Sequence, residues 1–161
     1  MTLLSALVGG FVGTVVLTTA LSIGSQLRLT RMDIPFLLGT AFTEQRSRAR
    51  LVGYALHFVA GLVFALAYYV GFVALGRAGW QLGMLFGLVH ALFAGTTVVN
   101  VLLPVLHPKM GTPSSAASDA PLLEAPGFML LNYGRTTPIV TILSHLIYGA
   151  IVGAFVGAAG G

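Results

Sequence analysis

Two histidines stand inside apolar segments of this chain, and their type and spacing could support chemistry. His57 is followed four positions later by Gly61, and His145 is followed four positions later by Gly149. An imidazole in an apolar segment can form hydrogen bonds, carry a proton or ligate a transition metal. Positions four apart share one face of a helix, so each glycine leaves room beside its imidazole. His57 and His145 are therefore candidate ligands of a haem or a metal ion.

Further polar residues are predicted to lie at the same depth as these histidines, about 8–12 Å from the cytoplasmic ends of their helices at ~1.5 Å per residue. A polar side chain facing lipid is costly, so these residues are expected to point into a helical bundle. The predicted polar layer consists of Thr18, His57, Asn100, Thr141 and His145. Of the other two histidines, His90 is expected near mid-membrane against a neighbouring helix. His107 is expected in a loop at the lipid headgroups.

Three interpretations of the polar layer stay open. It can be a hydrogen-bond network that holds the helices together. It can be a transition-metal or proton site, which two imidazoles complete only if a loop acid, Asp33 or Glu124, folds in. It can also be a haem b site with His57 and His145 as axial ligands. Hydrolytic catalysis is disfavoured, because Ser144 and its neighbour His145 point about 100° apart on a helix.

The elements that must carry these residues are membrane spans. The chain has 161 residues, of which 57% are hydrophobic and 7% charged, and its mean hydropathy is +0.95, which excludes a soluble domain. The absence of cysteine excludes a disulfide framework and thiolate clusters. The sequence predicts one all-α transmembrane domain over residues 1–161. Four apolar segments are long enough to cross a bilayer: Leu3–Gly24, Leu51–Gly76, Trp80–Leu106 and Pro138–Ala159.

Two long loops, residues 25–50 and 107–137, and one short turn connect the spans. The long loops hold seven of the eight basic residues, and the turn holds only Arg77. The positive-inside rule therefore predicts cytoplasmic long loops and both termini outside a prokaryotic inner membrane. The first span is expected to be retained, since it lacks the basic start of a signal peptide. The net charge of +4 is explained by topology and lipid headgroups, so nucleic acid is not an expected partner.

An internal repeat is suggested by three pairs of matching phrases in the same order. Residues 11–14 read FVGT and residues 93–96 read FAGT, and the His-x-x-x-Gly phrases follow in the next spans. Each long loop also carries an acid, a proline two positions later and a short apolar run, which predicts interfacial or re-entrant segments. We therefore predict two duplicated hairpins, residues 3–76 and 80–159, related by an axis along the membrane normal. Gly13 should then superpose on Gly95, and His57 on His145.

Stripes of small residues are predicted to be packing faces. Small residues at every fourth position let helix backbones approach closely, which is important in lipid because apolar burial gives little drive for association. Such faces can serve the bundle itself, a homo-oligomer or a larger membrane complex. The clearest stripes are Gly83, Gly87, Ala91 and Gly95 in the third span and Gly149, Gly153 and Gly157 in the fourth.

The phrases GYALHFVAG at residues 53–61 and TPIVTILSHLIYG at 137–149 resemble a family of small prokaryotic four-helix membrane proteins. The resemblance implies a four-helix architecture and assigns no activity. We expect a non-enzymatic accessory, scaffold or small-ligand-binding protein of the inner membrane. The alternatives are a haem- or metal-binding carrier of electrons or ions, and a small transporter that works as an oligomer.

Overall fold

The computed structural model describes residues 1–107 and 123–159, and the regular elements in this part of the chain are helices. Four of them are long and apolar enough to cross a membrane, as predicted: α1 (Leu3–Gln26), α3 (Arg46–Ala74), α4 (Trp80–Leu106) and α5 (Thr137–Ala158). A short helix, α2 (Ile34–Thr40), lies in the first long loop. A 3₁₀ segment, Phe128–Tyr133, lies in the second. Helix α3 begins at Arg46, so its first two turns include the basic residues before the predicted start at Leu51.

Local signals explain where several helices begin. The side chain of Thr2 caps α1 and forms a capping box with Ser5. The carboxylate of Asp33 caps α2 by accepting from the backbone N–H of Phe36 at 3.0 Å, and Pro35 occupies the first turn. The acid and proline that mark the predicted loop segment are thus its start signals.

Helix α5 lies at backbone distance from two neighbours. A methyl group added to Gly83 on α4 would overlap the carbonyl oxygen of Gly149 on α5, and the reverse substitution would overlap that of Gly83. On the α1 side, a methyl group on Gly9 would lie 3.2 Å from the Cα of Val152. The predicted small-residue stripes therefore pack helices within the chain.

The two hairpins differ in how their helices are aligned. In the first, Gly61 on α3 packs against Thr14 on α1. In the second, Gly149 on α5 packs against Gly83 on α4, which lies 13 residues before Thr96, the predicted equivalent of Thr14. Thirteen residues correspond to about 20 Å of α-helix, more than two turns.

The helix contacts of the two hairpins consequently do not support the predicted superposition of Gly13 on Gly95. His57 and His145 behave differently, since both line one cavity between the helices. The matched His-x-x-x-Gly phrases thus lie together, whereas the glycines of the matched Phe-x-Gly-Thr phrases have different neighbours, Tyr148 for Gly13 and Met129 for Gly95. Duplication of the two hairpins stays a prediction.

The two long loops contact each other. Arg31 pairs with Glu124 at 3.2 Å, and the hydroxyl of Tyr133 donates to the Glu124 carbonyl oxygen at 2.9 Å. Burial, with a further contribution from Glu124, raises the pKa of Tyr133 to about 12, so the phenol keeps the proton that it donates. The ion pair is exposed and contributes little free energy. Tyr133 also packs against the cluster that contains Leu37 of α2, which places the 3₁₀ segment beside that helix.

Candidate ligand cavity

A cavity of about 160 Å³ lies between the four long helices. Helix α2 closes one end with Leu37 and Leu38, and Met32 and Leu130 complete that floor. Leu130 is 2% exposed and has a left-handed backbone with φ of 63°, which is rare for a branched side chain. The volume is close to that of engineered protein cavities of ~150 Å³ that take up benzene. A single six-membered ring would therefore fill it.

Three histidines stand on the cavity wall, one from each of α3, α4 and α5. The rings of His90 and His145 meet edge to face with centroids 4.6 Å apart. The Nδ1 of His145 donates to the Thr141 carbonyl oxygen at 2.8 Å, because a carbonyl can only accept. This bond fixes the tautomer and leaves the His145 Nε2 as an acceptor. The Nδ1 of His90 lies 3.3 Å from the Tyr68 hydroxyl, which holds the ring in place.

Two buried polar atoms of the cavity-lining residues have no hydrogen-bond partner in the described part of the chain. They are Nε2 of His57 and Oγ1 of Thr141. Buried polar atoms are normally paired, and leaving one unpaired costs about 1–3 kcal/mol. The cavity thus combines a mostly aliphatic and aromatic wall with unused hydrogen-bonding capacity. This combination is typical of a binding site for a small organic molecule.

The structure brings only part of the predicted polar layer together. His57, Thr141 and His145 line the cavity, whereas Thr18 donates to the Thr14 carbonyl oxygen of its own helix at 2.6 Å and lies outside it. Asn100 is exposed and is likewise bonded within its own helix. Thr18 and Asn100 therefore do not form the expected layer with the histidines.

The position of Asn100 has a local cause. Residues Ala94–Leu102 of α4 form a π-helix, in which the Asn100 amide donates to the carbonyl oxygens of Gly95 and Thr96, both at 3.0 Å. This wider helix rotates the following side chains away from the positions that an α-helix would give them. Its inner face, with Val98 and Val99, lines the cavity instead.

Two residues of the site were missed by the sequence analysis. His90 was expected to lie against a neighbouring helix, and its contact with Tyr68 agrees with that expectation. It was not expected in the site, because it has no counterpart in the first hairpin. Tyr148 was not singled out, yet its hydroxyl crosses the bundle to donate to the Gly61 carbonyl oxygen at 2.6 Å. The available signal was spacing, since Tyr148 lies three positions after His145 and so on its face of the helix.

The loop acids do not complete a metal site. Asp33 lies 3.6 Å from Arg50, and Glu124 pairs with Arg31, both at the protein surface. Within residues 1–107 and 123–159, no group of three or more His, Cys, Asp or Glu side chains is placed to hold a metal ion. The residues on the cavity wall thus lack the carboxylate that the metal hypothesis required.

A haem does not fit the cavity either. A porphyrin contains four pyrrole rings, whereas about 160 Å³ accommodates one ring of the size of benzene. The His90 ring also lies directly beside His145, one of the two predicted axial ligands, with the ring centroids 4.6 Å apart. The cavity is therefore suited to a much smaller molecule.

His107 differs from its expected place at the headgroups. Its side chain is 2% exposed at the end of α4. The Nε2 atom lies 3.1 Å from the Leu37 carbonyl oxygen and 3.1 Å from the Thr40 hydroxyl, both in α2. His107 therefore fastens α2, which closes the cavity, to the end of α4.

Comparison of the chain with protein-family models, curated proteins and solved structures found no match. The resemblance to a family of small four-helix membrane proteins stays a prediction. The cavity, with its three imidazoles and two unpaired polar atoms, is accordingly the feature that bears most directly on function.

Proposed function

We propose that this chain is a multi-pass membrane protein that binds a small, mainly apolar molecule with a hydrogen-bonding group in the cavity between its helices. The observation that supports this proposal is the pair of unpaired buried atoms, His57 Nε2 and Thr141 Oγ1, in residues that line an otherwise apolar cavity. A ligand hydroxyl would pair with one or both of them. Binding would therefore remove a free-energy cost that the unliganded protein carries.

The chemistry of the wall indicates what kind of group would bind. Thr141 can donate or accept, and His145 offers an accepting Nε2, so a hydroxyl that both donates and accepts matches the wall. The remaining lining is mainly aliphatic and aromatic, and disfavours a charged ligand. The proposed function includes no covalent step and therefore belongs to a binding or accessory protein.

We expect 4-fluorophenol to bind more tightly than 4-fluorotoluene, although the two molecules have nearly the same size. The hydroxyl would gain hydrogen bonds that a methyl group cannot form, and about 1.4 kcal/mol of difference corresponds to a tenfold difference in Kd. The measurement is ¹⁹F NMR titration of the purified protein in detergent micelles, with empty micelles subtracted.

The double variant His57→Phe, Thr141→Val replaces both unpaired atoms by apolar groups of similar shape. It should reduce the preference for the phenol, with the His145 Nε2 as the remaining acceptor, and should be no less stable without the probes. The control is Thr18→Val, which lies outside the cavity and should keep the preference for the phenol. Absence of saturable binding of either probe to the wild-type protein would overturn the proposed function.

We also propose that the long loops are cytoplasmic and that both termini lie outside. The distribution of basic residues supports this orientation, since seven of eight lie in the long loops. Helix α2 and the 3₁₀ segment would then lie at the cytoplasmic interface, where Arg31 and Arg50 stay exposed. In this orientation the floor of the cavity faces the cytoplasm.

The orientation can be tested with single cysteines, because the chain has none of its own. Ser47→Cys and Gln81→Cys place a thiol at exposed positions at opposite ends of the bundle. In intact cells, a membrane-impermeant maleimide should label the cysteine at position 81 and should label the one at position 47 only after permeabilisation. The reverse pattern would invert the orientation.

A further inference from the structure

The seam between α3 and α4 is built differently from the other contacts of the bundle. Helices α1 and α4 approach α5 through glycines, whereas α3 and α4 are held apart by aromatic rings. Phe72 and Phe86 stack with centroids 4.9 Å apart, and Tyr68 meets Phe86 edge to face at 5.4 Å. Side chains can change rotamer, whereas a backbone contact between glycines can only open by moving a whole helix. The aromatic seam is therefore the side of the bundle that can open at lowest cost.

An apolar groove of about 330 Å³ runs along the outer face of this seam. Val89 and Phe93 on its edge are 60% and 41% exposed, and they belong to an apolar helix long enough to span a membrane. The groove consequently opens to the hydrocarbon of the bilayer and suits an aliphatic chain. Its wall includes Phe64, Tyr68, Phe86, Val89, His90 and Phe93.

The groove and the central cavity share two wall residues, Phe64 and His90. Their rings are stacked, with centroids 3.6 Å apart and an angle of 25° between the planes. His90 is held by its contact with the Tyr68 hydroxyl, while Phe64 makes ring contacts with His90 and Phe93. Phe64 is therefore the side chain whose rotation would join the groove to the cavity.

We infer that the aromatic seam is a lateral entrance from the bilayer, and that the ligand is a membrane-dissolved molecule with a hydroxylated ring and a hydrocarbon tail. This inference rests on the proposed function. The ring would fill the cavity and pair with His57 and Thr141, while the tail would pass Phe64 and lie in the groove. Such a ligand reaches the site without leaving the membrane, and it needs no opening through the floor formed by Leu37 and Leu130.

The test uses phenol and 4-octylphenol as competitors of bound 4-fluorophenol in lipid nanodiscs, with concentrations expressed per lipid. Both should displace the probe from the wild-type protein. In Phe64→Trp the larger ring should obstruct the path of the tail and weaken the binding of 4-octylphenol at least tenfold more than it weakens the binding of phenol. The control, Phe58→Trp, is the same substitution on α3 at a residue that instead contacts Phe11 on α1, and it should change neither competitor.

Val89→Trp provides a second obstruction at an exposed position of the groove, where the fold is not at risk. It should also weaken the binding of 4-octylphenol about tenfold and leave the binding of phenol unchanged. The lateral entrance is wrong if phenol displaces the probe but 4-octylphenol does not. It is also wrong if Phe64→Trp and Val89→Trp leave the affinity for 4-octylphenol unchanged. In both cases the cavity remains a binding site. If phenol itself fails to displace the probe, the proposed function falls as well.

Discussion

Replacing Gly83 with alanine is expected to destabilise the protein strongly. The new methyl group would overlap the carbonyl group of Gly149 and would lie 3.0 Å from the Cα of Gly153. Both contacts are with backbone, so no side-chain rotation can relieve them, and α4 must separate from α5. Overpacking of this kind costs about 3 kcal/mol, which corresponds to a Tm lower by about 6–12 °C.

The matched control is Gly79→Ala, four residues before Gly83 in the sequence. A methyl group there would meet only Gln81 Oε1, at 3.6 Å. Thermal unfolding of both variants in one detergent should lower the Tm of Gly83→Ala by several times more than that of Gly79→Ala. Equal values would show that α4 and α5 are not packed at backbone distance.

The spans could be predicted from the sequence because membrane insertion depends on local composition. A run of about 20 apolar residues is sufficient to specify a transmembrane helix, and the four predicted runs agree with the helices found. The start of α2 was also readable, because Asp33 and Pro35 are local cap signals. Which span each small-residue stripe packs against was not readable, because the stripes of different spans resemble one another.

Only some residues of the candidate site could be predicted from the sequence. His57 and His145 were found because an imidazole in an apolar run is conspicuous, and both do line the cavity. Asn100 was expected to point inward because a polar side chain facing lipid is costly, whereas in the structure it lies in a π-helix, and its amide is satisfied by its own helix. His90 was not assigned to the site because the repeat, which directed attention to matched residues, has no partner for it.

The prediction that His107 lies at the headgroups failed for a different reason. Hydropathy places His107 at the end of a span, where water and headgroups would satisfy its imidazole. In the structure, α2 folds back under the bundle, and its backbone supplies the hydrogen-bond partner instead. Contacts between residues 70 positions apart depend on tertiary folding, and no spacing within one helix indicates them.

His107→Ala is therefore expected to be strongly destabilising and to act through α2. It removes the hydrogen bond from the imidazole to the Leu37 carbonyl oxygen and the contact with the Thr40 hydroxyl, and it leaves a space in the protein interior. The loss of a buried partner and the space together correspond to about 2–3 kcal/mol. Hydrogen exchange followed by mass spectrometry should show faster exchange in residues 34–40, with little change in α5.

The control for this experiment is Val105→Ala, two residues earlier in α4 and 80% exposed. It removes side-chain volume from the same helix end without touching α2, so exchange in residues 34–40 should stay at the wild-type rate. If His107→Ala behaves like Val105→Ala, the imidazole is a headgroup-level residue, as its sequence position suggests. If α2 alone loosens and probe binding weakens, the imidazole stabilises the floor of the cavity from the α4 side, where no other side chain of α4 has a hydrogen bond to α2 in the part of the chain that the structure describes.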